Sequence, residues 1–314
     1  MFCRKVDSED FPGVVFSSSK TWQEQRRFAL RTLRDFGFGK QGMEELIKEE
    51  VQMFKSLIDH ENGKPFDIGG KLNLPILNAL WKLTVGERFE YDDPKLLDIC
   101  FRLTETLRIL VEPRQHLAEN YPWLTKIFPK FFSQDYAVKV LHEIVDMIEE
   151  NITKHKETLD RNEARDFIDM ALIEIQKTED PRSSFYGKVG LDNLKVRGEY
   201  FNFNKTGRTA PFYPNLITLQ NSKRLILYPL CKVSLFDLFI AGSETTSTTL
   251  TWAALYMVRY PEVQRRVQEE LDREVGGDRE PKMEDRLNLP YTESVIMEIQ
   301  RHGNIVPLGL RHRM

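Results

Sequence analysis

Residues 239–257 read FIAGSETTSTTLTWAALYM, and this stretch decides how the rest of the chain is interpreted. Its apolar residues favour a buried helix, yet it contains five threonines, one glycine and one glutamate. Threonine and glycine weaken a helix, and an acid is rarely buried without a partner. Two interpretations stay open: a helix that carries chemistry on one face, or a packed helix with an exposed glutamate and backbone-bonded threonines.

The composition is that of a globular protein. Of 314 residues, 41% are hydrophobic and 30% are charged, and the formal net charge is -3. Lysine and arginine are spread along the chain, so nucleic acid is not an expected partner. No apolar run approaches the roughly 20 residues of a membrane-spanning helix. No signal peptide follows Met1, and the chain as given is expected to be soluble or peripheral.

Cysteine and histidine give no metal-binding pattern. The three cysteines, Cys3, Cys100 and Cys231, are odd in number and far apart, which argues against a disulfide framework and a CxxC site. The six histidines are scattered without a zinc-type spacing. A reducing compartment and no side-chain metal site are therefore predicted.

Hydrophobic periodicity predicts a mainly α fold. Three apolar stripes at helical spacing predict core-facing helices. The first consists of Trp22, Phe28, Leu30 and Leu33, the second of Leu46, Ile47, Val51, Phe54, Leu57 and Ile58, and the third of Leu141, Ile144, Val145, Ile148 and Ile152. Asn62-Gly63, Pro261 and Gly276-Gly277 are predicted to mark helix boundaries. Alternation in GVVFSS (13–18) and VPLGLRH (306–312) leaves room for a minor β component only.

Residues 197–232 break this pattern. The segment mixes aromatic residues, asparagine, proline and glycine without helical spacing or caps. A long stretch of this kind is uncommon inside a compact domain. It is predicted to be an anomalous insertion before the helix that contains residues 239–257.

Three residue types in that helix could carry chemistry. Thr245 follows Ala241 by one turn, so its hydroxyl can bond the Ala241 carbonyl and locally widen the helix. Gly242 lacks a side chain at the same turn, which would let a flat cofactor or small ligand approach the backbone. Glu244 and Thr245 place an acid beside an alcohol, a pair that can pass protons through water.

Two further pairs lie on helix faces. Trp22 and Arg26 are four residues apart, and their indole N–H and guanidinium suit a carboxylate, although a plain cation–π contact explains the same spacing. Glu298 and Arg301 are one turn apart, where most such pairs are solvated and stabilise a helix by only about 0.2–0.5 kcal/mol.

In this order, the segments WQEQRRF (22–28), FIAGSETTSTTLTWA (239–253) and YTESVIMEIQRHGNIVP (291–307) followed by LGLRH resemble the cytochrome P-450 haem-thiolate monooxygenases. The resemblance is to the microsomal, family-2-like group that metabolises drugs and steroids. It runs from residue 13 to the last residue, apart from 197–232. It implies an incomplete cytochrome P-450 fold, a partial domain spanning 1–314.

The resemblance implies a role for each motif. Trp22 and Arg26 would bind the haem propionates. Ala241 and Gly242 would line the groove for haem and dioxygen, and Thr245 would also contact the cofactor. Glu244 and Thr245 would deliver the protons that help cleave the O–O bond.

The same family pattern extends to the last helix and the substrate pocket. Glu298 and Arg301 would pair with each other and with a later segment, which is a structural role. His312, five residues after Pro307, would be another propionate donor. The pocket wall would include Phe236 to Ile240 on one side and Leu308 and Gly309, within Leu308 to Leu310, on the other.

The sequence departs from the family at both ends. In the family, the proximal cysteine thiolate lies in a loop downstream of E-x-x-R, and this chain has no such cysteine. None of its three cysteines is expected to bind the iron. The membrane anchor and first strands would precede residue 1. The chain as written is therefore expected to be poorly stable and to bind haem weakly, and the full-length parent to lie on the cytosolic face of the endoplasmic reticulum membrane.

The anomalous segment has two interpretations. Removing residues 196–232 would join Lys195 to Val233 and give GLDNLKVSLFDLFIAGSETT, which runs into the oxygen-binding helix as the family does. A retained in-frame intron fits this junction. A genuine surface insertion fits it too, since loops tolerate insertions at small entropic cost.

The resemblance implies oxidation of a lipophilic small molecule by haem and dioxygen, with electrons from NADPH through a reductase. Two alternatives remain from the residues themselves. One is a non-catalytic truncated product that lacks the haem-ligating cysteine. The other is a haem-free helical interaction module.

Overall fold

The computed structural model describes residues 13–15, 19–111, 114, 117, 121–128, 131–132, 134–186 and 230–307. The described helices are α1 (Ser19–Asp35), α2 (Gln41–Asp59), α3 (Asn73–Val85), α4 (Pro94–Val111), α5 (Pro122–Ile127), α6 (Gln134–Thr158), α7 (Phe167–Lys177), α8 (Leu230–Arg259), α9 (Pro261–Glu274) and α10 (Pro290–Gly303). Two short 3₁₀ helices cover Gly70–Leu72 and Met283–Asn288. The mainly α prediction is confirmed.

The predicted minor β component is not seen among these residues. Residues 13–15 of GVVFSS form bends, while residues 16–18 and 308–312 lie outside the described part of the chain. Short alternating runs specify a strand only when a second strand pairs with them, because an isolated strand leaves its backbone groups unpaired.

Turn residues end the helices where the sequence predicted. Asn62 and Gly63 follow α2 with φ of 50° and 74°, and Gly276 follows α9 with φ of 78°. These left-handed conformations are open to glycine and tolerated by asparagine. Pro261 occupies the first turn of α9, where its missing N–H costs no hydrogen bond.

The chain divides into two compact units. The first comprises Met1–Phe36 and Trp81–Ile240, and the second comprises Gly37–Leu80 and Ala241–Met314. The division falls within α3 and α8.

In the first unit, α6 packs against α4 and α7, and α7 packs against α1. The predicted stripe of α6 is confirmed, since its described members are all buried: Ile144, Val145, Ile148 and Ile152. The ring of Phe28 on α1 lies 5.4 Å from Phe167 and 4.9 Å from Phe185, centroid to centroid. This aromatic cluster fixes the face of α1 that points into the core.

The stripe of α1 is only half confirmed. Phe28 and Leu33 are buried, whereas Trp22 and Leu30 are 37% and 46% exposed. A helix buries a limited arc of its surface, and Trp22 and Leu30 fall outside the arc that α7 covers.

The prediction that the apolar stripe of α2 faces the core is wrong. None of its six apolar residues is buried, and Ile47 and Val51 are each 46% exposed, while Glu50 is buried. An amphipathic pattern predicts a helix with an apolar face, but burial of that face depends on what packs against it.

In the second unit, α9 packs against α10. The buried carboxylate of Glu270 accepts hydrogen bonds from the backbone N–H groups of Tyr291 (3.0 Å) and Thr292 (2.7 Å). It also accepts from the Thr292 hydroxyl at 2.7 Å. These groups belong to the first turn of α10, whose N–H groups have no partner within the helix, so Glu270 joins the two helices. Among the described residues, no helix combines the length and apolar character needed to cross a membrane.

Candidate functional site

Helix α8 satisfies its threonines through its own backbone. The Thr245 hydroxyl donates to the Ala241 carbonyl oxygen at 2.6 Å, as expected from their spacing. The hydroxyls of Thr246, Thr249 and Thr251 make the same four-residue bond at 3.0, 2.7 and 2.8 Å. The helix continues without a break through this region, so the side-chain bonds are added to a continuous helix and explain how so many threonines are accommodated.

Gly242 has a packing role in the structure. A Cβ atom added there would lie 2.9 Å from Cδ1 of Leu80 and 3.2 Å from its Cδ2. Leu80 therefore occupies the space that the sequence assigned to a ligand. Contact between Gly242 and haem stays a prediction, as does contact with Ala241, which is exposed.

Glu244 is half-buried, and so it is not the exposed glutamate of the packing interpretation. Its Oε1 accepts a hydrogen bond from the side-chain amide of Asn73 at 3.1 Å. Asn73 is the first residue of α3. Helical spacing could not predict this partner, because the two residues are far apart in the chain.

Trp22 and Arg26 lie on one exposed face of α1. Arg26 Cζ is 5.5 Å from the centroid of the Trp22 ring, within the range of a cation–π contact. Within the described part of the chain, neither the guanidinium nor the indole N–H has a hydrogen-bond or ion-pair partner. The face thus combines the plain cation–π contact with donors that remain able to bind a carboxylate.

Glu298 and Arg301 form a two-point ion pair on α10. Arg301 Nε and Nη2 lie 2.7 Å from Oε2 and Oε1 of Glu298. The hydrogen bonds from Arg301 lower the pKa of Glu298 to about 2. Both side chains are more than half exposed, at 56% and 65%, so solvent screens the pair in this structure.

The predicted pocket residues fall into two groups. Phe236 and Ile240 are buried, with 6% and 9% exposure. Leu308, Gly309 and His312 lie outside the described residues. The pocket assignment of Phe236, Ile240, Leu308 and Gly309 stays a prediction, as does the propionate role of His312.

Asp237 is a buried acid that the sequence did not single out. Its Oδ2 accepts hydrogen bonds from the backbone N–H groups of Val14 (2.7 Å) and Val15 (3.0 Å). Its Oδ1 has no hydrogen-bond partner among the described residues. Burial raises the pKa of Asp237 to about 6, against the lowering effect of the two N–H donors. The signal in the sequence was an aspartate within the apolar run SLFDLFI.

A second buried cluster joins α6 to α7. His155 Nε2 lies 2.7 Å from Oδ2 of Asp166, and its Nδ1 lies 2.7 Å from the Asn151 carbonyl oxygen. Arg165 Nε and Nη2 bond the two oxygens of Asp169 at 2.6 and 2.9 Å. The histidine and the two aspartates lie close enough together to be considered as metal ligands.

The hydrogen bonds of this cluster argue against a metal ion. Asp169 is engaged by a guanidinium, Asp166 Oδ1 accepts the backbone N–H of Asp169 at 3.0 Å, and both ring nitrogens of His155 are engaged. A cation would have to displace these partners. The cluster is therefore best explained as a structural link between two helices.

Comparison with known proteins gives a consistent result. A family model described as Cytochrome P450 matches residues 7–197 and 229–314. Among curated proteins, the chain is 37% identical over 303 residues to Cytochrome P450 2J2 of Homo sapiens, covering 95% of this chain and 51% of that protein.

Two further relatives have similar coverage. The chain is 36% identical to Cytochrome P450 2J5 of Mus musculus over 301 residues, with 95% and 51% of the two chains covered. It is 37% identical to Cytochrome P450 2K6 of Danio rerio over 297 residues, with 95% and 50% covered. The chain thus spans about half the length of the curated relatives it matches.

Proposed function

The chain belongs to the cytochrome P450 family, and from this membership we propose that it is part of a haem-dependent monooxygenase that oxidises a lipophilic small molecule with dioxygen. Electrons would come from NADPH through a reductase. The full-length protein would act at the cytosolic face of the endoplasmic reticulum membrane. The observation that carries the proposal is the stretch AGSETT on α8, with the Thr245 hydroxyl bonded to the Ala241 carbonyl in a chain that matches the family.

The donor set of α1 fits haem. Its two propionates are carboxylates, and the exposed donors of Trp22 and Arg26 suit carboxylates because arginine can bind them at two points. We assign the propionates to these two residues and to His312. Ala241 and Thr245 would face the cofactor from α8, and Gly242 would do so only if Leu80 left the space beside it. Bound haem would supply the iron that activates dioxygen.

The protein's own contribution is proton supply. The Thr245 hydroxyl donates its proton to the Ala241 carbonyl and keeps two acceptor lone pairs. Glu244 precedes it by one residue and offers a carboxyl group. A proton that leaves the Glu244 carboxyl can reach Thr245 Oγ1 through water as Thr245 releases its own hydroxyl proton to the bound reactants, and Glu244 regains a proton from solvent.

Other roles follow the same family pattern. Phe236, Ile240, Leu308 and Gly309 would border the substrate, and Glu298 with Arg301 would support the fold beside the haem. We also propose that residues 196–232 are not part of the working enzyme. The family model leaves residues 198–228 unmatched, which supports that proposal.

The proposed function is tested in the full-length, haem-loaded protein with a reductase, NADPH and isotopically labelled dioxygen. A set of fatty acids, steroids and terpenoids serves as substrates. One labelled oxygen atom should enter the product. Haem-loaded protein that forms no labelled product with any substrate class would contradict the proposal and favour a non-catalytic role.

Thr245→Val should slow product formation by about 100-fold, because it removes the hydroxyl that handles protons. Thr249→Val is the matched control, since Thr249 makes the same hydroxyl bond one turn later, to the carbonyl of Thr245 at 2.7 Å. The control should retain most activity. Equal losses in both variants would indicate an effect on helix stability rather than on proton supply.

A further inference from the structure

Asn73 has no role in the resemblance or in the comparisons, yet its side chain contacts a proposed catalytic acid. Its Nδ2 donates to Glu244 Oε1 at 3.1 Å, and both side chains are half-buried. Partial burial strengthens a hydrogen bond to a carboxylate, because less water competes for the oxygen.

The segment that carries Asn73 is held against α8 on both sides of this contact. Before Asn73, a Cβ atom added at Gly69 would lie 3.7 Å from Cγ2 of Thr251, which is ordinary van der Waals contact. After Asn73, Leu80 packs onto Gly242, whose added Cβ would meet Leu80 Cδ1 at 2.9 Å. The backbone on both sides of Asn73 therefore lies against α8, and this placement brings the Asn73 amide within hydrogen-bond distance of Glu244.

The chemistry of an amide suits this place. A lysine or arginine here would hold Glu244 as the anion, and an aspartate would repel it. The amide of Asn73 has two donors and one acceptor. It can donate to the carboxylate through Nδ2, and after rotation its Oδ1 can accept a hydrogen bond from the protonated acid.

The two charged side chains of residues 67–73 have partners other than Glu244. Asp67 Oδ1 accepts the Gly69 backbone N–H at 2.9 Å. Lys71 is paired with Glu61. Among residues 67–73, Asn73 is the residue whose side chain has a recorded hydrogen bond to Glu244.

We propose that Asn73 is a positioning residue that holds the Glu244 carboxyl group in one orientation through both its protonated and ionised states. Its relevance to oxidation rests on the proposed function. The hydrogen bond itself does not, and it can be measured in protein without turnover.

The first test is infrared spectroscopy of the full-length protein. Subtracting the spectrum of Glu244→Gln isolates the carboxylate bands of Glu244. Asn73→Leu, which has nearly the same shape but no donor, should shift the antisymmetric stretch of that carboxylate. Asn162→Leu is the control, because Asn162 is exposed in the turn between α6 and α7. An unchanged Glu244 band in folded Asn73→Leu would overturn the proposal.

The second test uses turnover. Asn73→Leu should lower kcat about 10-fold with little change in KM, because a misplaced acid affects proton transfer and not substrate binding. Asn73→Gln, which restores an amide, should recover part of the loss. In the Glu244→Gln background, Asn73→Leu should have no further effect on kcat.

The outcomes separate the two proposals. An equal loss of kcat in both backgrounds would mean that Asn73 acts on folding or packing, and would overturn the positioning role. A shifted infrared band in a protein that never oxidises substrate would support the positioning of Glu244 and contradict the proposed function. If Asn73→Leu fails to fold, the infrared comparison is made with Asn73→Gln and Asn73→Ser, where an unchanged band position and width in both would count against the proposal.

Discussion

At the scale of single residues, α8 shows which contacts can be predicted from the sequence and which cannot. The bond from Thr245 to the Ala241 carbonyl follows from a spacing of four residues on a helix, and it is present. Local rules predict local bonds. Gly242 is different, because a missing side chain can admit a ligand or a neighbouring helix, and only the position of Leu80 shows which of these occupies the space here.

Long-range partners could not be predicted in this way. Neither Asn73 nor Asp237 was singled out in the sequence, and the partners of both lie far away along the chain. Periodicity and spacing describe positions along one helix. They contain no information on which distant backbone N–H groups will meet a carboxylate.

Asp237 gives a prediction about pH. Its pKa of about 6 lies above the value of about 4 expected in the unfolded chain. Between these values the folded state holds a proton that the unfolded state has released, so this group's contribution to the free energy of unfolding falls as pH rises from about 4 to about 6. The whole change is up to about 3 kcal/mol.

Asp237→Asn removes this titration while its amide oxygen can still accept the N–H groups of Val14 and Val15. The variant should therefore gain stability relative to the natural residue as pH rises through 6. Urea unfolding at pH 5, 6 and 7 measures the difference. A difference that stays constant over this range would contradict a raised pKa in the folded protein.

At the scale of elements, the helices themselves were predictable and the burial of their faces was not. The stripe of α6 is buried between α4 and α7, whereas the stripe of α2, of the same quality in the sequence, is not buried in the described structure. A helix is specified by local propensity and periodicity. Burial is a property of two elements together.

The link between α6 and α7 makes a prediction of its own. Burial alone would lower the pKa of His155, but its hydrogen bonds with Asp166 and the Asn151 carbonyl raise it above the usual value. A raised pKa means that the folded state favours the charged ring. The resulting stability is fully present below the unfolded pKa of about 6.5 and is lost as pH rises through the folded pKa.

His155→Gln should therefore lower the free energy of unfolding more at pH 6 than at pH 8.5. At pH 6 the loss should be about 1–3 kcal/mol. Thermal unfolding at the two pH values measures this. Asp166→Asn is the companion variant, since it removes the carboxylate and leaves the imidazole. A cost that is larger at the higher pH would show that the histidine is neutral in the folded protein.

At the scale of the whole molecule, family membership rests on the order of motifs along the chain. Each motif alone had an ordinary structural explanation, and the pairs Trp22–Arg26 and Glu298–Arg301 show in the structure the plain contacts that such explanations require. The family model matches residues 7–197 and 229–314, which include all of these motifs. Family membership was therefore predictable from the sequence as a whole and not from single sites.

The segments on either side of residues 187–229 meet at one side chain of α1. Gln25 Nε2 donates to the Ser184 hydroxyl at 2.9 Å, and the Ser234 hydroxyl donates to Gln25 Oε1 at 3.2 Å. All three residues are buried. A short connection could therefore join the two segments, which supports the proposal that residues 196–232 are dispensable.

Deleting residues 196–232, which include the first three residues of α8, should leave the rest of the fold intact and raise stability by about 1–2 kcal/mol, because a shorter connection costs less closure entropy. Gln25→Leu tests the network, since it removes a hydrogen-bond partner from two buried hydroxyls at a cost of about 1–3 kcal/mol. That cost should be the same with and without the deletion. A deleted protein that unfolds, or in which Gln25→Leu costs nothing, would show that the segment is part of the fold.

The central claim is that this chain belongs to a working haem-thiolate monooxygenase. The most direct measurement is the absorbance spectrum of the full-length transcript product, loaded with haem, reduced and treated with carbon monoxide. We predict the spectrum of a thiolate-ligated haem, with weaker haem retention in Trp22→Phe and Arg26→Gln. A protein that takes up no haem, or a spectrum without thiolate character, would contradict the account.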